Sequence, residues 1–118
     1  MDDRIRAQHM LEAARDVAVI AAGRSIEDLR RDMPMRRALI NAIQEIGEAA
    51  ARVTPDGRTK MSGVSWTQMV GMRHRLVRGY DVINLEIVWQ VATSEVGPLI
   101  AALEAAFVAW PLPESHGA

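Results

Sequence analysis

The side chains best suited to chemistry are concentrated in residues 71–80, whose sequence is Gly-Met-Arg-His-Arg-Leu-Val-Arg-Gly-Tyr. This stretch supplies three arginines, one histidine and one tyrosine. An arginine guanidinium keeps its charge at neutral pH and binds phosphate oxygens through paired hydrogen bonds. Histidine takes up and releases a proton near neutral pH. The stretch therefore predicts phosphate binding beside one proton carrier, His74.

The spacing of apolar residues predicts that a helix over residues 66–78, capped by Ser65, carries this stretch. One side of the helix would present Trp66, Met69, Val70, Arg73, Leu76, Val77 and Tyr80. Intervals of three and four residues are typical of a helix packed in a bundle. Arg73 would then face other helices, where a guanidinium needs an acidic partner or an open cleft. Glu45 and Glu48 are candidate partners for Arg73 or Arg78, although an ordinary solvated acid is the favoured interpretation of either one alone.

The first half of the chain predicts three helices. The first covers residues 3–22. Ser25 caps a short second helix, because its hydroxyl can accept from a free N–H group of the first turn. Asp32 caps a third helix that runs to about Arg52. Within that helix Gly47 costs about 1 kcal/mol against alanine, so we expect another helix to approach closely there.

The second half predicts one loop and a long apolar helix. Residues 53–64 contain Pro-Asp-Gly, a turn signal, and form the predicted loop. Arg58 and Lys60 of this loop could fold over a ligand, or could lie on a mobile surface. Asn84 caps the last helix, and the Gly-Pro pair at 97–98 should kink or break it.

Composition favours a small helical protein. The 118 residues include three tryptophans, one tyrosine, one phenylalanine and no cysteine. We predict an all-α, up-and-down bundle of four long helices and one short helix, without strands. It would occupy residues 1–110, followed by a flexible tail at 111–118. No signal peptide is apparent and no apolar run approaches the ~20 residues that span a bilayer, so we expect a cytoplasmic protein.

No metal or cofactor is expected. The three histidines are scattered, and no Glu-x-x-His pair of the kind found in four-helix metal proteins occurs. The absence of cysteine excludes disulfides and thiolate metal sites.

Charge is segregated along the chain although the net charge is only −1. Residues 52–80 carry six bases against one acid, whereas residues 81–118 carry five acids and no base. The basic segment could attract phosphate, or it could pair with the acidic C-terminal segment of its own bundle. The sequence leaves both possibilities open.

Four short motifs stand out together. They are Ile-Gly-Glu-Ala-Ala at 46–50, Trp66, Gly-Met-Arg-x-Arg-Leu-Val-x-Gly-Tyr at 71–80, and Ile-Val-Trp at 87–89. With these motifs the chain resembles the HepT-like branch of the HEPN superfamily over about residues 3–108. The signature of that family is arginine, four residues, histidine, one residue, tyrosine.

The resemblance implies a helical bundle that forms a homodimer and brings two copies of the motif into one cleft. It also implies a toxin ribonuclease that needs no metal. In that family the usual partner is MntA, a minimal nucleotidyltransferase encoded beside the toxin. That partner acts as antitoxin by AMPylation, adding AMP groups to the motif tyrosine.

Carried onto this sequence, Arg73 matches the motif arginine and Tyr80 the motif tyrosine, the AMP acceptor. Arg78 stands where the family has histidine, and His74 stands where asparagine is common. Metal-free RNA cleavage uses the ribose 2′-OH as nucleophile and needs a base, an acid and positive charge at the phosphate. An arginine stays protonated and is a poor base.

Three hypotheses follow from that departure. His74, on the same flank as Arg78, could replace the missing histidine. Alternatively, the site binds RNA or nucleotide with little catalysis, or Arg73 is structural and the protein works through its surfaces. We expect an endoribonuclease acting on tRNA or mRNA, with Arg73, His74 and Arg78 catalytic and Arg73, Arg75 and Arg78 binding RNA. The alternative is an inactive helical module that binds RNA, nucleotide or a nucleotidyltransferase.

Overall fold

A computed structural model describes residues 2–79 and 82–112 of the chain. The helices are α1 (Asp3–Ala21), α2 (Ile26–Arg31), α3 (Met33–Arg52), α4 (Pro55–Lys60), α5 (Trp66–Val70), α6 (Met72–Leu76), α7 (Leu85–Gln90) and α8 (Val96–Ala109). A π-helical turn, Val91–Glu95, joins α7 to α8. Strands β1 (Val77–Arg78) and β2 (Val82–Ile83) have two residues each. The predicted all-α class is confirmed.

Local capping explains where several helices begin. The Ser25 hydroxyl accepts from the Asp28 N–H and the Asp28 carboxylate accepts from the Ser25 N–H, a reciprocal capping box at the start of α2. The Asp32 carboxylate accepts from the Met35 N–H at 3.0 Å and caps α3. Asn84 caps α7 in the same way. The caps predicted at Ser25, Asp32 and Asn84 are confirmed.

One hydrophobic core lies between the long helices. Helix α1 packs along α3 on one side and α8 on another. The largest fully buried side chains are Met10, Leu29, Leu39, Ile43, Ile46, Met61, Met72, Leu76 and Leu103. Every long helix contributes to this set, so the bundle buries its apolar stripes against one another.

The predicted loop at 53–64 is partly wrong, because α4 lies within it. Thr54 caps α4 by accepting from the Gly57 N–H at 3.2 Å, and Pro55 takes the first helical position. Proline is favoured there because its missing N–H would have no helical partner. The Asp3 carboxylate also accepts from the Thr54 N–H and hydroxyl, which ties α4 to the start of α1.

The single helix predicted over residues 66–78 is also wrong. It is divided at Gly71 into α5 and α6, and it ends at Leu76. Ser65 precedes α5 but makes no side-chain capping bond. The described residues therefore contain three long helices where four were predicted: α1, α3 and the helical segment Leu85–Ala109.

A small antiparallel hairpin follows α6, although the sequence predicted no strand. Val77 pairs with Ile83 and Arg78 with Val82. Gly79 has φ +64°, a left-handed conformation that glycine adopts without steric cost. The Asn84 N–H donates to the Leu76 carbonyl at 2.7 Å and closes the hairpin onto the end of α6.

The segment Leu85–Ala109 is interrupted just before the predicted kink at 97–98. In its π-helical turn the Val96 N–H bonds to the carbonyl of Val91, five residues earlier. Pro98 has no N–H, and its ring would crowd the carbonyl four residues before it, which favours an irregular turn there. Among the described residues, this segment alone is long and apolar enough to cross a membrane by length and composition, so the expectation that no apolar run approaches that length is wrong. In the bundle Val88, Leu99 and Leu103 are buried in the core.

Candidate active site on helix α6

Helix α6 is held against α3 at a point where α3 has no side chain. A Cβ built on Gly47 would lie 3.1 Å from the Met72 Cβ and 3.3 Å from the Met69 carbonyl oxygen. Met72 and Leu76 are fully buried on this contact side of α6. The close approach predicted at Gly47 is confirmed. It also brings the backbone of Arg73 near α3, since the Arg73 nitrogen would be 3.9 Å from the same Cβ.

Arg73 lies on the solvent side, so its predicted place on the buried stripe is wrong. The stripe is correct at Met69 and Leu76, but the interruption at Gly71 turns Met72 inward instead of Arg73. Within residues 2–79 and 82–112, no carboxylate lies within 4.0 Å of the Arg73 guanidinium. The Arg73 charge is therefore available to a ligand.

The acids proposed as partners for Arg73 are placed elsewhere. Glu45 and Glu48 are both exposed. Glu45 accepts from the Asn41 amide at 3.2 Å, one turn earlier on α3. Neither carboxylate forms an ion pair with Arg73 in the described part of the chain, so the structure gives no support to a buried structural role for that arginine.

His74 is exposed and follows Arg73 directly on α6. Adjacent helical residues point in different directions, about 100° apart around the axis. The expectation that His74 and Arg78 share one flank of a helix is wrong, because α6 ends at Leu76 and Arg78 lies in β1. The Arg78 side chain and the whole of Tyr80 lie outside the described residues.

Arg75 is committed to an ion pair with Glu95 of the π-helical turn. Its two terminal nitrogens donate to the two Glu95 carboxylate oxygens, both at 2.7 Å. The side chains are 26% and 11% exposed, respectively. The hydrogen bonds from Arg75 to Glu95 raise the pKa of Arg75 above its usual value, although partial burial opposes this. For Arg75, the basic segment therefore pairs with the acidic C-terminal segment, one of the two possibilities left open.

The cations of the predicted loop contact the protein itself. Arg58 donates to the Ala50 carbonyl at 3.3 Å, and its guanidinium lies 5.8 Å from the Trp66 ring centroid. Lys60 lies 4.8 Å from the Trp110 ring centroid. These contacts attach α4 to the bundle, so neither side chain is poised as a free ligand-binding arm.

A separate groove of about 330 Å³ runs between α1 and α3. It is lined by Arg6, His9, Glu12, Ala13, Asp16, Glu45, Glu48, Ala49 and Arg52. None of these residues belongs to α6. Sequence reasoning missed the groove because its acids are distributed over two helices and align only after packing. Across residues 2–79 and 82–112, no three histidine or acidic side chains converge as a metal site.

Comparison with known proteins indicates a ribonuclease family. The model of the HepT-like family, described as Ribonuclease HepT-like, matches residues 10–106. A protein of Caldanaerobacter subterraneus subsp. tengcongensis named "Putative RNase" is 30% identical over 92 residues, covering 78% of this chain and 82% of that protein. A Methanocaldococcus jannaschii protein with the same kind of name is 31% identical over 87 residues, covering 74% and 80%.

A third relative, from Thermococcus cleftensis, is named "Probable ribonuclease HepT". It is 26% identical over 78 residues, covering 66% of this chain and 71% of that protein. No solved structure was found to match. The family match covers α6 and most of the helices that hold it. The chain belongs to the HepT-like ribonuclease family.

Proposed function

We propose that this chain is a metal-independent endoribonuclease and the toxin of a toxin–antitoxin pair, acting in the cytoplasm as a homodimer. One observation carries the proposal. Arg73 and His74 are adjacent and exposed on α6, and Arg73 has no carboxylate partner among the described residues. A permanent cation and a proton carrier are thus both open to an RNA phosphate.

The chemistry assigns each side chain one step. Arg73 binds the scissile phosphate and offsets the charge that builds on it as the ribose 2′-oxygen attacks phosphorus. His74 takes the 2′-OH proton, and the bond to the 5′-oxygen breaks. His74 then gives the proton to that 5′-oxygen. One product ends in a 2′,3′-cyclic phosphate and the other in a 5′-hydroxyl group. Arg78 adds positive charge to the site, where the family motif has histidine.

The test is cleavage of tRNA and total RNA by the purified chain in EDTA, beside Arg73→Ala and His74→Ala. Loss of cleavage in both variants is the expected result. Arg37→Ala is the matched control, because Arg37 is also exposed and has no ion pair in the described chain. It lies ten residues before Gly47 on α3, or about 15 Å along the helix from the point where α6 contacts α3. Cleavage that persists in Arg73→Ala would reject the assignment.

A second function is favoured by Arg78 itself. An arginine at the histidine position cannot easily act as a base, and the end of α6 at Leu76 removes the helical relation between His74 and Arg78. The chain would then be an inactive module that binds RNA, nucleotide or a nucleotidyltransferase. No cleavage by the natural sequence, with cleavage gained in Arg78→His, would select this function.

The proposed antitoxin is an MntA-like minimal nucleotidyltransferase that adds AMP to Tyr80. Such a group would bring negative charge beside Arg73 and weaken phosphate binding. Incubation with ATP and a nucleotidyltransferase encoded beside this chain should add one or more AMP masses to the natural sequence and none to Tyr80→Phe. Equal addition to both would place the modification elsewhere.

A further inference from the structure

Among the ion pairs of the described residues, the pair formed by Arg75 and Glu95 is bidentate and contains the least exposed carboxylate, at 11%. It joins α6, which carries Arg73 and His74, to a helical segment twenty residues further along the chain. A bidentate arginine–carboxylate pair fixes the relative orientation of its two partners as well as their distance.

Glu95 lies in a segment with an unusual backbone conformation. Glu95 ends the π-helical turn, in which the Val96 N–H reaches the Val91 carbonyl. Such turns are rare, and they occur frequently at functional sites because they change the direction in which a side chain points. Here the turn places Glu95 against α6, whereas its neighbours Thr93 and Ser94 are exposed.

Helix α6 needs such a contact. It has only five residues, too few to be stable alone, and a break at Gly71 separates it from α5. Met72 and Leu76 attach one side of it to the core. Apolar contacts are non-directional, so they leave the rotation of a short helix poorly defined. A directional contact at Arg75 supplies the missing constraint.

We propose that Glu95 is a positioning residue for the site: by holding Arg75, it fixes the rotation of α6 that presents Arg73 and His74 to RNA. This inference rests on the function proposed above. It gives Arg75 a role in orientation, since a guanidinium already bound to a carboxylate adds little net charge. Of the three polar residues of α6, Arg73 and His74 then contact the substrate.

The proposal predicts a separation between turnover and binding. Glu95→Gln removes the negative charge that offsets Arg75, so the attraction of the surface for RNA should not fall. The loosened α6 should nevertheless misplace its two reactive side chains, and small misplacements are costly in rate. We expect kcat to fall about tenfold or more while KM changes by less than about twofold.

The variants are chosen to separate positioning from folding. Glu104→Gln is the matched control: Glu104 lies on α8, and its pair with Arg15 is exposed and longer, at 3.7 Å. It should leave kcat unchanged. The exchanged pair Arg75→Glu/Glu95→Arg should regain much of the lost kcat, because the ion pair is restored in reverse. Turnover of Glu95→Gln within about twofold of the natural sequence, with the site folded, would overturn the proposal.

A readout independent of cleavage keeps the two proposals apart. Hydrogen exchange of the segment 72–76 should be roughly tenfold faster in Glu95→Gln than in the natural sequence or in Glu104→Gln. Exchange in α3 should be unchanged, which excludes global unfolding. If the natural sequence cleaves no RNA but α6 loses protection as stated, the proposed function fails and the positioning contact stands. Unchanged protection of α6 would reject the positioning contact.

Discussion

Gly47 of α3 and Met72 of α6 are in such close contact that a methyl group on the glycine would lie 3.1 Å from the Met72 Cβ. The backbone of α3 therefore comes close to α6, because α3 has no side chain at residue 47. Arg73 is the next residue after Met72. The position of Arg73, the residue proposed to bind phosphate, therefore depends on the absence of a side chain at residue 47.

Gly47→Ala should destabilise the protein and lower RNA cleavage together. The added methyl group forces the Met72 side chain or the Met69 carbonyl to move, and overpacking of this kind costs about 1–3 kcal/mol. The helix propensity of alanine offsets about 1 kcal/mol of that cost. Urea unfolding and cleavage rates measure the two effects. Gly63→Ala is the control and should be nearly neutral, since in the described part of the chain its Cβ would meet only Ala102, at 3.9 Å.

Gly79→Ala should destabilise the hairpin that follows α6. Its φ of +64° costs an L-residue about 1–2 kcal/mol. Asparagine tolerates this conformation better than alanine, so Gly79→Asn should lose less. Among the described residues, no heavy atom lies within 4 Å of the position of a Cβ at Gly79, so we expect the effect to be one of backbone conformation. Equal unfolding free energies for the alanine and asparagine variants would contradict this explanation.

Acid should weaken the starts of three helices. The Arg4 side chain lowers the pKa of Asp2 from 3.8 to about 2. The Ser25 N–H lowers the pKa of Asp28, and the Met35 N–H lowers that of Asp32.

Because each folded pKa lies below the unfolded value of 3.8, the stabilisation is complete above 3.8. It is lost as pH falls through the folded values, near 2 for Asp2. The melting temperature of the natural sequence should decrease as the pH falls from about 4 to about 2. Asp32→Asn keeps a capping oxygen but does not titrate, so its drop should be smaller. An identical pH profile would show that Asp32 makes no contribution.

Trp110 should stabilise the junction of α1, α4 and α8. The Arg4 guanidinium carbon lies 4.9 Å and the Lys60 Nζ 4.8 Å from its ring centroid, and Arg4 donates to the Pro111 carbonyl at 2.7 Å. Lys60→Met keeps most of the aliphatic stem but loses the cation, which should cost about 0.5–1 kcal/mol in unfolding free energy. Lys60→Arg retains the charge and should be near neutral. A fully stable Lys60→Met would show that the stem alone supplies the contact.

The features that could be predicted from sequence are those set by near neighbours. Caps at Ser25, Asp32 and Asn84 depend on residues three positions away, so their signals are complete in a short window. The signal for α4 was also local: Thr54 before Pro55 is a capping residue followed by the favoured first position. It was misread because Pro-Asp-Gly also indicates a turn.

The features that could not be predicted depend on packing. Helical periodicity continues through Gly71, so nothing in the pattern shows that the chain bends there and turns Arg73 outward. The contact between Arg75 and Glu95 spans twenty residues and depends on a π-helical turn that has no reliable sequence signal. The motif predicts which residues form the site, whereas the orientation of their side chains is a property of the assembled bundle.

The segment Leu85–Ala109 carries a further consequence for how the chain reaches this structure. By length and composition it is apolar enough to cross a membrane, and it is synthesised after α1 and α3, the helices against which it packs. Until this segment packs against α1 and α3, the apolar residues that it later buries are exposed to lipid, to chaperones and to other incompletely folded chains. Variants that weaken docking should therefore be lost to aggregation or membrane association before their catalysis can be assayed. The need to fold without aggregating is then a second constraint on the sequence, separate from the requirements of RNA cleavage.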